Sequence, residues 1–260
     1  MDLLPYLTTC EQIARECGAI LKDYIGKFHV REKGRADLVT EADCASQENV
    51  RRRLAEVYPT HVLLGEENGV RAEGGAGIFR WIVDPLDGTT NYVHGDPHFC
   101  VSLAMEYDGE LQVATIYSPL EQMCYTASRG GGAFLNGQPM HVSHARTPSE
   151  SLVAIGFPPG ATMASPDGQA FERVMSQCQA IRRSGSTALN LAYVAAGHYD
   201  AAWNFRTNAW DMAAGVLLVQ EAGGAVRQID GSPYDVNRGS FIAAANEALL
   251  EAFLEKIHGE

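Results

Sequence analysis

Apolar positions recur at helical spacing through Tyr6, Leu7, Cys10, Ile13, Cys17, Ile20, Leu21 and Tyr24, which predicts a first helix with one apolar face. Thr40 has the chemistry of an N-cap, and Ala45, Val50 and Leu54 carry a second helix to about Val57, where Tyr58-Pro59 ends it. Asp43 then falls in the first turn of that helix. From residue 79 to 127 the pattern becomes strand-rich. Residues 101–107 and 111–117 flank Asp108-Gly109, a two-residue hairpin signal, and Asn136-Gly137 marks another tight turn. Gly130-Gly131-Gly132 has no phosphate-loop spacing after it and reads as a structural connection.

A weak boundary lies at residues 144–151, where Thr147-Pro148-Ser149-Glu150-Ser151 interrupts the apolar pattern and divides the chain into halves 1–147 and 148–260. Beyond it, expected strands at 152–155, 199–203 and 241–245 alternate with expected helices at 171–178, from Ser186-Thr187 through Leu191 and Val194, from Asp211 to Glu221, and at 246–257. The pattern alone supports a mixed α/β protein with no repeat and no low-complexity segment.

Length and composition narrow the function classes. A chain of 260 residues, 46% of them hydrophobic, can bury a large core as one domain or as two closely packed halves. Its 32 acids against 20 bases give a net charge of −12, which disfavours non-specific binding to nucleic acid or to an anionic membrane. Met1-Asp2-Leu3-Leu4-Pro5 does not read as a secretory signal, and no apolar run is long enough to span a bilayer. Cys10, Cys17, Cys44, Cys100, Cys124 and Cys178 form no C-x-x-C pair, as expected of reduced thiols, so the expected location is the cytoplasm. Cys44 stands beside Asp43 and is expected to be buried and inert.

The chemistry is concentrated in Trp81-Ile82-Val83-Asp84-Pro85-Leu86-Asp87-Gly88-Thr89-Thr90-Asn91, an apolar run that ends in two carboxylates, a glycine and two hydroxyls. Asp84 and Asp87 offer hard oxygen ligands suited to Mg²⁺, and Pro85 stiffens the turn between them. Gly88 allows close approach to an anion, and a helix starting near it would present free N–H groups and a positive dipole end. Alone, Asp-Pro and Asp-Gly are ordinary turn chemistry. Three further segments add acids: Lys33 through Asp43, Leu63-Leu64-Gly65-Glu66-Glu67, and Trp210-Asp211-Met212-Ala213-Ala214-Gly215 with its continuation to Glu221-Ala222-Gly223-Gly224. Together, in this order, they resemble the inositol monophosphatase family of Mg²⁺-dependent, lithium-sensitive phosphatases over most of the chain.

That resemblance implies an α+β fold, a layered α/β/α/β/α sandwich of two halves with the site in the cleft between them. The first half carries most metal ligands, and the second carries Asp211 and the substrate rim. It implies two or three Mg²⁺ ions, the first held by Glu66, Asp84 and the Leu86 carbonyl and the second by Asp84, Asp87 and Asp211. Glu66, through a third metal, and Thr89, paired with Asp43, would orient the attacking water; Lys33 would add positive charge. The N–H groups of Gly88 and Thr89 would receive the phosphate. Asp87, Ser186, Thr187, Asn204 and Asp211 would face the substrate, and the protein would be a homodimer.

Each residue has a plainer reading beside this one. Asp43 suits a helix first turn regardless of chemistry, and Lys33, with Arg31 and Arg35, also fits a solvated basic loop. Glu67 reads as a solvent-facing neighbour of Glu66. Trp81, Trp203 and Trp210 read as core aromatics, and His94, His98, His141, His144 and His198 show no metal-ligand spacing. Family members that favour inositol phosphates commonly carry an acid seven positions before the aspartate of the Trp-Asp pair, where this chain has Asn204. With Arg206 nearby and Arg182 and Arg183 ahead of Ser184-Gly185-Ser186-Thr187, the rim is expected to accept a more anionic substrate, such as a sugar bisphosphate or a nucleotide with a second phosphate. The expected activity is a Mg²⁺-dependent phosphomonoesterase acting on a small phosphorylated metabolite, inositol-1-monophosphatase-like. The same family also holds fructose-1,6-bisphosphatase, 3′(2′),5′-bisphosphate nucleotidase, NADP phosphatase and histidinol phosphatase. A non-catalytic partner-binding protein on this fold is the rival class, disfavoured because four clustered acids repel without cations.

Overall fold

The computed structural model describes residues 1–34, 37–66, 78–158 and 160–259. Helix α1 (Leu4–Tyr24) has proline in its first turn, where a missing N–H costs nothing, and buries Cys10, Ile13, Ala14, Cys17 and Leu21 along one face. Strands β1 (Val30–Gly34) and β2 (Asp37–Thr40) pair as a small hairpin. The sequence reads as a basic loop there, because Val-Arg-Glu-Lys-Gly has no alternation to reveal a strand. Helix α2 (Glu41–Val57) starts at Thr40 through a capping box with Asp43 and packs beside α1.

Both helices cover one face of a seven-stranded sheet. Its strands, in spatial order, are β3 (Val62–Gly65), β4 (Phe79–Asp87), β5 (Cys100–Tyr107), β6 (Glu110–Ser118), β7 (Met123–Ser128), β8 (Gly132–Leu135) and β9 (Gln138–Pro139). β3 runs parallel to β4, and each later pair is antiparallel. Asp108 and Gly109 (φ 54° and 82°) and Asn136 and Gly137 (φ 49° and 77°) take the left-handed backbone that two-residue hairpin turns require. The glycine connection at 130–132 is closed structurally: the Gly130 and Gly132 N–H groups donate to the Glu221 carboxylate at 2.9 and 3.0 Å.

A short helix, α3 (Thr89–His94), follows β4. The second half supplies β10 (Leu152–Ile155), α4 (Pro166–Val174), β11 (Ala180–Arg182), α5 (Thr187–Ala195), β12 (Ala201–Asn204), α6 (Ala209–Glu221), β13 (Ala225–Arg227), β14 (Phe241–Ala244) and α7 (Glu247–His258). Its five-stranded sheet has the order β11-β10-β12-β14-β13. Helices α5 and α6 lie between the two sheets, while α4 and α7 pair on the outer face of the smaller one, so the layers run α/β/α/β/α. Sandwiching explains α6: Met212 through Val219 are all buried, because sheets cover the helix on both sides.

Three local expectations shift. The helix placed at 171–178 runs from Pro166 to Val174, since Ser165-Pro166 is a helix start and Gly168 masks the apolar period that follows it. The strand placed at 199–203 begins at Ala201, and three-residue β11 and β13 are too short to show a period. Cys44 is exposed, because Ala42, Asp43, Ser46 and Gln47 turn inward and position 44 faces the other side of the helix. Among the described residues no helix is long and apolar enough to cross a membrane.

Candidate active site

Strand β4 delivers two acids at its buried end, with Asp84 2% and Asp87 8% exposed. Pro85 has no N–H for the ladder, and the β4–β5 register slips between Asp84 and Asp87 at that point. The Leu86 N–H folds back to Asp84 Oδ1 at 3.0 Å, and Ser46 Oγ donates to the Pro85 carbonyl at 2.9 Å, tying the turn to α2. Glu66 follows β3, which pairs with β4 at Gly65 and Val83, and its N–H donates to the Val83 carbonyl at 3.3 Å. That register sets Glu66 beside Asp84.

The fourth acid comes from a distant segment. Asp211 is the third residue of α6 and closes its capping box: Oδ2 accepts from Thr207 Oγ1 at 2.7 Å and from the Asn208 N–H at 2.8 Å. Its carboxyl lies close enough to that of Asp84 for the two like charges to repel. Ser102 Oγ on β5 donates to the Trp210 carbonyl at 3.2 Å and anchors the start of α6 over the sheet. Asp87 crosses to the second half in the other direction. Its Oδ2 accepts from Ser186 Oγ at 2.6 Å and from the Ala188 N–H at 2.7 Å, at the start of α5.

These carboxyls hold protons more tightly than ordinary ones. Burial raises Asp84 well above the usual range, and Glu66, Asp87 and Asp211 add repulsion. Burial, then Asp211, pushes Asp87 up to about 7, against the lowering effect of its Ser186 hydrogen bond. Asp211 is raised by burial. Among the described residues no lysine or arginine forms an ion pair with any of the three. Surplus buried negative charge of this kind fits divalent cations. Among the described residues no three candidate ligands close into a ready-made cage.

Asp43 is fully buried; its Oδ2 accepts from the Thr40 N–H (2.7 Å) and Oγ1 (2.6 Å) and its Oδ1 from Thr89 Oγ1 (3.3 Å). The helix-start role and the pairing with Thr89 therefore coexist, one on each oxygen. Thr89 Oγ1 also lies 3.1 Å from the Leu86 carbonyl. Gly88 caps α3 with φ 94°, and a Cβ there would stand 3.0 Å from the His98 carbonyl oxygen, so the position requires glycine. Asn91, to which the sequence assigned no role, donates through Nδ2 to the carbonyls of His98 (2.7 Å) and Ser184 (2.8 Å) and so ties α3 to the 184–187 segment. Ser46 and Asn91 carry no sequence signal beyond being polar residues in or near the motif. Lys33 sits on β1, but its side chain lies outside the described residues, as does Glu67.

Beside the acids opens a cleft of about 520 Å³, lined by Asp211, Ser186 and Thr187 together with Asn204, Arg183 and Arg206. Asn204 is 7% exposed and donates through Nδ2 to Thr187 Oγ1 at 3.2 Å. Its amide lies against Gly156, where an added Cβ would come within 2.3 Å of Oδ1. Arg182 is not among the lining residues; its guanidinium donates to the Ile181 carbonyl. Trp81 and Trp203 are buried, and Trp210 is partly buried against the central core.

Comparison with known proteins places this arrangement. The model described as the inositol monophosphatase family matches residues 2–260. The chain is 42% identical over 260 residues to the Nus factor SuhB of Pseudomonas aeruginosa, covering 97% of this chain and 96% of that one. It is 41% identical over 248 residues to the inositol-1-monophosphatase of Rhizobium meliloti, covering 95% and 91%. Among solved structures, the extragenic suppressor protein suhB from Bartonella henselae superposes with a TM-score of 0.89 at 35% identity, over 97% of this chain and 98% of that one.

Proposed function

Because this chain belongs to the inositol monophosphatase family, we propose that it is a Mg²⁺-dependent phosphomonoesterase that releases phosphate from a small phosphorylated metabolite, as an inositol-1-monophosphatase does. One observation carries the reading: Asp84 and Asp87 are buried with the partly buried Asp211 beside them, each with raised proton affinity, Glu66 adds to the charge around Asp84, and no basic ion pair joins the three among the described residues. Bound there, Mg²⁺ would neutralise the phosphate, acidify a water and stabilise the leaving oxygen.

Glu66, Asp84 and the Leu86 carbonyl would hold one ion and Asp84, Asp87 and Asp211 a second, with Glu66 also reaching a third. The chain's own residues set the geometry around them. The Thr89 hydroxyl donates toward Asp43 Oδ1 and the Leu86 carbonyl, which leaves its lone pairs to accept a hydrogen bond from a water and orient it. Thr89 is a positioner, since a hydroxyl of ordinary pKa is a poor base at neutral pH. The N–H groups of Gly88 and Thr89 head α3, where no helical carbonyl precedes them, and would receive phosphate oxygens. The Ser186 and Ala188 bonds hold Asp87 in one orientation and keep the two sides of the site in register. Lys33, by the same resemblance, would lend a further positive charge near the site. The same reading includes, by family resemblance, a homodimer inhibited by millimolar Li⁺; six free cysteines support a cytoplasmic location, and a net charge of −12 supports the absence of a nucleic-acid or membrane partner.

A second reading is favoured by one finding: the 42% identical relative is named as a Nus factor, not as an enzyme. This chain would then act by binding a partner, with or without turnover. Phosphate release from inositol 1-phosphate, fructose 1,6-bisphosphate, adenosine 3′,5′-bisphosphate, NADP and histidinol phosphate, with and without Mg²⁺, separates the two. Mg²⁺-dependent turnover of any of them supports the phosphatase. No turnover on all five by folded protein favours the partner-binding role.

A further inference from the structure

Asn91 stands where the two halves meet, and both donors of its half-buried amide are in use. Nδ2 donates to the His98 carbonyl at 2.7 Å and to the Ser184 carbonyl at 2.8 Å. A planar amide NH₂ has no third donor, so these partners fix the direction in which the group faces. Its backbone is fixed as well, since the Asn91 carbonyl accepts from the Asp96 N–H at 2.9 Å. The 184–187 turn packs directly on this amide. Gly185 has φ 90°, and a Cβ there would stand 2.9 Å from both Nδ2 and Oδ1 of Asn91, so the turn requires glycine for its backbone and for the close approach. On its far side the turn is bonded to α5. Ser184 Oγ donates to Asn190 Oδ1 at 2.6 Å, and Ser186 Oγ accepts from the Leu189 N–H at 3.2 Å, which makes turn and helix one piece.

Among the described residues that piece is bonded to the 87–94 segment at two places. One is Asp87, which accepts from Ser186 and Ala188, and the other is Asn91. Together they close a ring: residues 87–91 on one side and 184–186 on the other, joined by the Ser186–Asp87 and Asn91–Ser184 hydrogen bonds. Attachment at Asp87 alone would let the two pieces pivot about that carboxylate. Asn91 removes the pivot. Inside the ring lies Thr89, whose hydroxyl donates toward Asp43 Oδ1 and the Leu86 carbonyl. Resting on the phosphatase reading above, we propose that Asn91 is a positioning residue for the reaction: without touching substrate, its amide holds the Asp87 carboxylate and the Thr89 hydroxyl in fixed register across the two halves.

The test compares the parent with Asn91→Ala, Ser186→Ala and the double variant, on whichever of the five compounds above the parent turns over fastest, at saturating Mg²⁺ and well below each Tm. Asn91→Ala should lower kcat by about 10–100-fold while KM moves by less than about 3-fold, because substrate still binds but the reacting geometry is no longer held. Ser186→Ala opens the same ring at its other joint, so the double variant should fall no more than about 3-fold below the worse single variant. Asn91→Leu keeps much of the volume without the donors; it carries the same expectation and serves where the alanine variant does not fold. A merely structural asparagine would lower Tm and leave kcat of the folded variant at the parent value. That result, or losses that multiply in the double variant, would overturn the role and leave the phosphatase standing. Failure of the parent to hydrolyse any of the five compounds, with circular dichroism showing folded protein, would instead overturn the phosphatase reading and the role with it.

Discussion

Ser186→Ala probes the joint between the two sides of the site. One hydroxyl does two jobs: it donates to Asp87 Oδ2 at 2.6 Å, and it caps α5 by accepting from the Leu189 N–H at 3.2 Å. A buried hydrogen bond to a charged group is worth about 1.5–3 kcal/mol, and an N-cap about 1 kcal/mol. The Ala188 N–H still reaches Asp87 in the variant, which trims the loss, so the expected destabilisation is about 2–4 kcal/mol. For a chain of this size that lowers Tm by about 5–10 °C. Function should respond separately. The Ser186 hydrogen bond lowers the proton affinity of Asp87, so its loss raises an already elevated pKa and sets protons more strongly against Mg²⁺. At pH 7, with Asp87 starting at about 7, a rise of about one pKa unit should raise the Mg²⁺ concentration for half-maximal turnover by about 5-fold. Thermal melts in EDTA measure the first effect and Mg²⁺ titration of phosphate release the second. A Tm within about 2 °C of the parent and an unchanged Mg²⁺ requirement would together refute the assignment of Ser186 as the support of Asp87.

Three further outcomes are expected. Asp84→Asn keeps the shape and removes the charge nearest Glu66, Asp87 and Asp211, so turnover should fall at least about 1,000-fold while the metal-free melting temperature stays level or rises; near-normal turnover would refute the site. Asp87 has a folded pKa of about 7 against an ordinary 3.8, so the folded state binds this proton more tightly than the unfolded chain does. Its contribution is fully present below pH 3.8 and is lost as pH rises through 7, up to about 4 kcal/mol without metal. Melts in EDTA should weaken between pH 5.5 and 8, with Mg²⁺ raising Tm more at pH 8; equal Mg²⁺ shifts at both pH values would contradict this. Gly88→Ala forces a side chain into φ 94° and against the His98 carbonyl, so urea denaturation should show a loss of about 1–3 kcal/mol and phosphate release should drop; a variant as stable and active as the parent would remove Gly88 from the phosphate cradle.

What was legible in the chain was local. Thr40 and Tyr58-Pro59 bound α2 because caps and prolines act on adjacent backbone groups, and Asp108-Gly109 and Asn136-Gly137 set hairpins because each supplies left-handed residues to its own turn. The order of the acids in the motifs was likewise readable. Resemblance brought Asp84, Asp87 and Asp211 together before any geometry did; periodicity alone had no means of doing so. Where the local signal was weak, the reading slipped: Gly168 blurred the period of α4, and the charged β1 looked like a loop.

By itself the sequence determined the elements, their turns, the supply of carboxylates and the amide at position 204, because those depend on residue chemistry and on neighbours a few positions away. Tertiary structure decided which of these meet. It brought α6 across to set Asp211 on Asp84, hung Asp87 from Ser186 across 99 positions, put Cys44 in solvent while Asp43 went inward, and placed Arg183 on the cleft but not Arg182. The physical reason is that those contacts are fixed by how two sheets close on the α5–α6 layer. That closure is driven by burial of apolar surface summed over the whole chain, which no short window of residues contains.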